Sequence, residues 1–214
     1  MDRVIKDTCY KGTRILLGNT KRDLLNTMIY DLRLAEYKEI SIPIIQLQDM
    51  FSGKVGEENT QMMFKFQDMK PRDLVLAPEY TAVIQRLAKT TFKHDKDVKL
   101  FYVQECFRGE NPQAGRYRQF TQLGVEIINP TKPYLGELTV LATDLIGHVI
   151  PRYRQDLQLE VTRGLDYYVE GQGFEISCHQ LGSSKQVCGG GQYEGGIGFA
   201  IGIDRLLLYD KNAN

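Results

Sequence analysis

An α+β fold with a largely antiparallel sheet is predicted for this chain by three observations. Strand-like segments outnumber helical ones in its centre, neighbouring strands look hairpin-joined, and no composition shift, repeat or low-complexity tract divides its 214 residues. Taken in chain order, Thr20 to Asp23 resembles a capping box with Asp in place of Glu. Leu24, Leu25, Met28, Ile29 and Leu32 follow at helical spacing, which predicts an amphipathic helix. From Glu39 to Ile45 β-branched residues predict a strand, and Pro43 within it points to a sheet edge or a bulge. A helix is expected from near Glu79, after Pro78, toward Phe92, with Ala82, Val83, Ile84, Leu87 and Ala88 on its buried side. Two long strands between Lys99 and Ile128 come next, joined by a loop from Gly109 to Gly115 that holds Pro112. A helix from Leu135 to Val149 ends before Pro151. Short strands are expected at Leu157 to Thr162, Phe174 to Cys178 and Gln186 to Gly189, and Gly198 to Leu208 reads as a strand running into a helix.

Composition narrows the functional classes. With 42% hydrophobic and 25% charged residues the chain is that of an ordinary soluble globular protein, and 27 basic against 27 acidic residues give no overall attraction to nucleic acid. Contact with nucleic acid would need a local patch. The basic N-terminal residues Arg3, Lys6, Lys11, Arg14, Lys21 and Arg22 read as a solvated helix face. No apolar run approaches the ~20 residues of a membrane span and no signal peptide is evident, so a cytoplasmic protein is expected. Cys9, Cys106, Cys178 and Cys188 lack CxxC spacing and read as reduced, largely buried thiols. Cys178-His179 has no second ligand pair, so no metal site is assigned.

The chemistry concentrates between Lys99 and Ile128. On the second strand Arg116, Arg118, Phe120, Gln122 and Glu126 share one parity and hence one face, while Tyr117, Thr121, Leu123, Val125 and Ile127 face the other way. A row of guanidinium groups, a ring and a carboxylate is costly to bury unless a ligand satisfies it. The ligand this implies is anionic in one part and planar in another. No G-x-x-x-x-G-K-[ST] occurs, and Gly189-Gly190-Gly191 fits neither that loop nor G-x-G-x-x-G. A polyphosphate would therefore be gripped by arginines from separate segments, with Arg108, Arg116, Arg163 and Arg205 at glycine-rich or strand-end positions and Phe120 available to stack a base. In Arg163-Gly164-Leu165-Asp166-Tyr167-Tyr168, the tyrosine hydroxyls can orient a polar ring while the aromatic bodies exclude water.

The segments FRGENPQAGRYRQFTQLGVEI, RGLDYY, GGGQYEGG and GFAIGIDRLLL, with KGTRILL and ISIPII, together resemble the catalytic domain of histidyl-tRNA synthetase, a class II aminoacyl-tRNA synthetase. The resemblance implies a class II fold over residues 1–214, with ATP and Mg²⁺ as cofactors and histidine as substrate. It implies that Arg108 and Arg163 are catalytic, and that Arg108, Glu110, Arg116, Phe120 and Arg205 bind ATP. Histidine would be held by Glu79, Thr81, Gln122, Glu126, Arg163, Tyr167, Tyr168 and Tyr193. It further implies a homodimer through the strand near Pro43 and tRNA as acceptor. Nine residues after Arg205 leave no room for an anticodon-binding domain, and the short stretch between Glu126 and Arg163 leaves none for the family's insertion domain. Ala77, Tyr80, Asn111 and Gln192 depart from the family pattern, the segment after Tyr168 is one residue longer, and the Gly195 to Gly198 loop is shorter. Two alternatives stay open: a ligase with a non-tRNA acceptor, and a non-catalytic histidine-sensing paralogue.

Overall fold

A computed structural model describes residues 3–5, 9–51, 60–161 and 168–209. Its strands are β1 (Arg3–Ile5), β2 (Ile15–Leu17), β3 (Lys38–Glu39), β4 (Ile45–Leu47), β5 (Lys65–Gln67), β6 (Asp73–Leu76), β7 (Val98–Phe107), β8 (Gln119–Ile128), β9 (Asp156–Val161), β10 (Tyr168–Ser177), β11 (Gln186–Tyr193) and β12 (Gly196–Gly202). Its helices are α1 (Thr20–Leu34), α2 (Thr81–Lys89), α3 (Leu135–Gly147) and the one-turn α4 (Ile203–Leu206). The central sheet has the order β3-β7-β8-β12-β11-β10-β9. Only β3 runs parallel to its neighbour; every other pair is antiparallel, as the sequence predicts. β4, β6 and β5 form a separate three-stranded sheet, and β1 pairs with β2.

The two faces of the central sheet bury different residues. Leu123, Val125 and Ile127 of β8, with Phe199 and Ile201 of β12, pack under α1 and α3 through Leu25, Met28, Leu32, Leu138, Ala142 and Ile146. Alternation with period two places all of these on one side. The other face carries a smaller cluster in which Tyr102 and Cys106 meet Ala82 and Ile84 of α2 and Val75 of β6.

Several boundaries differ from the sequence expectation. The helix starts one residue earlier than the box implies: Asn19 is the N-cap, its side chain makes no cap bond, and Thr20 already lies in the helix. The C-terminus of α1 is closed instead by backbone, with Tyr37 N–H donating to Leu32 O (2.9 Å), Glu36 N–H donating to Arg33 O (3.1 Å), and Glu36 in the left-handed region at φ 64°. The strand expected from Glu39 to Ile45 is two short strands in different sheets, because Pro43 has no N–H with which to continue a ladder. β3 is nonetheless the sheet edge. Cys106, Cys178 and Cys188 are buried, but Cys9 is exposed, because it lies in the segment before β2 and outside both cores. β10 carries a register shift between Tyr168 and Gly173, where Gly171 has φ 71°. β11 and β12 are joined by a tight hairpin: Tyr193 pairs with Gly196, and Gly195 turns the chain at φ 84°.

Candidate active site

A cavity of about 200 Å³ opens on the α2 side of the sheet. Gly189, Ala200 and Gly202 are the small sheet residues in its lining. Gly124 of β8 pairs with Ala200 of β12, which pairs with Gly189 of β11, and Gln122 pairs with Gly202. The glycines are required by what lies over them. A Cβ at 124 would overlap the Tyr102 ring, and one at 198 would overlap the Glu126 carboxylate.

Three arginines from two distant segments line this one cavity: Arg108 and Arg116 in the β7–β8 loop and Arg205 in α4. Arg108 Nε donates to Pro78 O (2.9 Å) and its guanidinium stands 5.2 Å from the Phe120 ring centroid. Arg205 Nε donates to Gly115 O (3.0 Å) and Nη1 to Gln186 O (2.6 Å), and among the described residues Nη2 has no hydrogen-bond partner. Burial lowers the Arg205 pKa, Glu110 opposes that shift, and the charges of Arg116 and Arg108 push in the same direction as burial. A cluster of like charges with one nearby carboxylate is a receptor for an anion. Glu110 Oε2 stands 4.0 Å from Arg116 Nε and also lines the cavity.

At the α2 end stand Glu79 and Thr81, with Gln122 and Tyr168 across from them. Glu79 is buried because it closes the α2 N-terminus: its Oε2 accepts from Thr81 N–H (2.7 Å) and its Oε1 from Ala82 N–H (3.0 Å). Burial raises its pKa, against those two hydrogen bonds and the Arg108 charge. Glu126 and Tyr193 do not line the cavity. The Tyr193 hydroxyl donates to Glu126 Oε2 (2.7 Å), both groups are buried, and the Tyr168 ring centroid stands 6.3 Å from that of Tyr193. Burial pushes the Glu126 carboxyl up to about 8; the Tyr193 bond works against this and the Glu79 charge adds to it.

Two parity expectations fail. Arg118 turns away from the cavity, where its Nε donates to Glu110 O (3.0 Å), its Nη1 donates to Lys11 O (3.1 Å), and it packs 5.0 Å from the Tyr10 ring. Tyr117, expected on the core face, lines the cavity instead. The reason is common to both: regular strand geometry begins only at Gln119, so alternation cannot be extended back through the loop. Arg163 and Tyr167 lie outside the described residues. None of the four departures from the family pattern lines the cavity. Ala77 and Tyr80 are buried in the α2-side core, with the Tyr80 hydroxyl donating to Glu105 O (2.7 Å), while Asn111 and Gln192 are exposed. Sequence reasoning missed Tyr102 and Asp204 at the cavity wall; Asp204 stands beside Arg205 in the quoted motif, and adjacency to a predicted ligand arginine was the available signal.

The family profile for histidyl-tRNA synthetase matches residues 19–134, more than half of the chain. A histidine–tRNA ligase of Archaeoglobus fulgidus is 29% identical over 305 aligned positions that take in 92% of this chain and 74% of that protein. Because 305 positions exceed the 214 residues here, internal stretches of that relative have no counterpart in this chain. The crystal structure of apo S. aureus histidyl-tRNA synthetase superposes with a TM-score of 0.77 at 25% identity, covering 96% of this chain and 70% of that one. An ATP phosphoribosyltransferase regulatory subunit/histidyl-tRNA synthetase from Bacillus halodurans C shares the fold at TM-score 0.76 and 17% identity, covering 100% and 85% of the two chains. Sheet order, the arginine-lined cavity and the profile match converge on one conclusion: the chain belongs to the histidyl-tRNA synthetase family, a family of ATP-dependent aminoacyl-tRNA ligases.

Proposed function

We propose that this protein activates histidine with ATP, forming histidyl-adenylate and pyrophosphate, and passes the histidyl group to a hydroxyl at the acceptor end of tRNA with release of AMP. The observation that carries the reading is the convergence of Arg108, Arg116 and Arg205 on the cavity that also holds Glu79, Thr81, Gln122 and Tyr168. An oxygen of the histidine carboxylate attacks the α-phosphorus as the bond to the bridging oxygen of pyrophosphate breaks. A carboxylate is already a nucleophile, so alignment and charge neutralisation are what the protein must supply.

In this reading Arg108 grips the α-phosphate, Arg116 and Arg205 hold the β- and γ-phosphates, and Phe120 stacks on adenine. Arg163 bridges the histidine carboxylate and the α-phosphate. Glu79, Thr81 and Gln122 hold the α-amino group, whose positive charge would stabilise the ionised form of Glu79. Glu126, Tyr168, Tyr167 and Tyr193 select the imidazole, whose ring nitrogens would give the Glu126 carboxyl a hydrogen bond beyond the one it accepts from Tyr193. Mg²⁺ carried by the triphosphate would supply charge neutralisation for the pyrophosphate, and Glu110, the carboxylate this chain sets beside Arg116, is the residue that would hold it.

We assign the whole described chain to one catalytic unit, working in the cytoplasm as a homodimer. No described helix is long and apolar enough to cross a membrane. The dimer reading draws on Ile15, Leu17, Tyr30, Leu34, Ile45 and Leu47, large apolar side chains exposed on β2, α1 and β4. The likeness to the Bacillus halodurans protein concerns fold alone, and a sensor of histidine has no use for three phosphate-gripping arginines. The deciding experiment is exchange of labelled pyrophosphate into ATP. Exchange that depends on histidine, and not on the other nineteen amino acids, is expected; silence with all twenty refutes the reading.

A further inference from the structure

Behind the nucleotide cavity, on the opposite face of β7 and β8, lies a second one of about 610 Å³, walled by Arg14, Lys21, Glu105 and Thr121. Asp204 borders both cavities and is only 4% exposed. Its two oxygens have different partners. Oδ2 accepts the Thr121 backbone N–H (2.5 Å), while Oδ1 pairs with the Arg14 guanidinium and stands 3.5 Å from Lys21 Nζ. Lys21 also donates to Thr121 Oγ1 and lies 3.7 Å from Glu105, and the Arg14 guanidinium sits 3.5 Å from the centroid of the Tyr117 ring. Two cations from the N-terminal region thus face two carboxylates, and each member touches a residue adjacent to, or part of, the nucleotide cavity.

α4 has four residues and cannot hold itself in place, because a single turn fixes more backbone freedom than its hydrogen bonds return. Asp204 ties that turn to the β8 backbone at Thr121, between Phe120 and Gln122. Arg205, the next residue, is thereby held in register with the strand that presents Phe120.

We infer that Asp204 is a positioning residue for nucleotide binding: held from behind the sheet by Arg14 and Lys21, it fixes Arg205 relative to Phe120 and Tyr117. This rests on the reading that the cavity takes ATP. The Asp204→Asn variant keeps an oxygen for Thr121 N–H and loses the charge that Arg14 and Lys21 oppose. Its Kd for MgATP by titration calorimetry, and its KM for ATP in pyrophosphate exchange, should rise about tenfold, the size of one lost charged hydrogen bond. The KM for histidine should stay within about twofold of wild type. Lys21→Met should shift the ATP constants in the same direction by a smaller factor, and it decides the matter should Asp204→Asn fail to fold. A folded variant with unchanged ATP constants, or ATP and histidine constants rising together, overturns the inference. Wild-type protein that binds MgATP but shows no exchange refutes the proposed reaction while the Kd still reports on Asp204; wild type that does not bind MgATP overturns both.

Discussion

The two faces of β8 and β12 obey different rules. Toward α1 and α3 the strands present Leu123, Val125, Ile127, Phe199 and Ile201, a continuous aliphatic and aromatic layer whose members are interchangeable in kind. Toward the cavity side the same strands present Gln122, Gly124, Glu126, Gly198, Ala200 and Gly202, where side chains are absent, a single methyl or polar. The first face stabilises by the area it removes from water. The second contributes little area and holds groups whose partners come from β7, the β7–β8 loop, α2, β11 and α4. One strand therefore serves stability and chemistry at once, at alternate positions.

If that division is right, substitutions on the two faces should separate in what they damage. Arg205→Ala should have the largest effect on chemistry, lowering kcat/KM in pyrophosphate exchange by about two to three orders of magnitude, while its two lost bonds to Gly115 O and Gln186 O lower the melting temperature only modestly. A proportionate loss of both would break the comparison. Leu123→Ala, on the packed face, should cost about 2–5 kcal/mol in denaturant unfolding while the activity per folded molecule stays that of wild type.

The buried acid on the cavity face sharpens the contrast through pH. Glu126 is held near 8, above its ordinary 4.5, so between these values the folded protein retains a proton that the unfolded chain has released. Its contribution to stability is therefore full below about 4.5 and is lost as pH rises toward 8. Glu79, shifted in the same direction, adds to the slope. Glu126→Gln should flatten the fall in melting temperature between pH 5 and 8; an unaltered slope would show that Glu126 ionises freely. The smallest effect expected is that of Glu36→Gly, which relieves a left-handed residue at the end of α1 and should stabilise the fold by about 1 kcal/mol without touching activity.

Much of this was legible in residue order. Alternation over Gln119 to Ile128 identifies both faces of β8, and Arg108, Arg116 and Arg205, three of the four arginines singled out beside glycine-rich or strand-end positions, share one cavity. Legibility fails where geometry is not periodic. Arg118 and Tyr117 exchange their expected sides because the chain there is a loop, and a strand assigned across Pro43 divides between two sheets. The Asp204 cluster is invisible for a different reason: Arg14 and Lys21 lie more than 180 residues away in sequence, and no local pattern links them.

The sequence by itself determined the antiparallel α+β architecture, the apolar face and the family, because local periodicity and short motifs survive in any linear reading. Only the tertiary structure decided which arginines share a cavity, that Glu126 and Tyr193 pair beneath it, and that Asp204 bridges the two sides of the sheet. Those arrangements depend on strand order and on the missing Cβ atoms of Gly124 and Gly198, and both acquire their meaning only when distant segments are brought together.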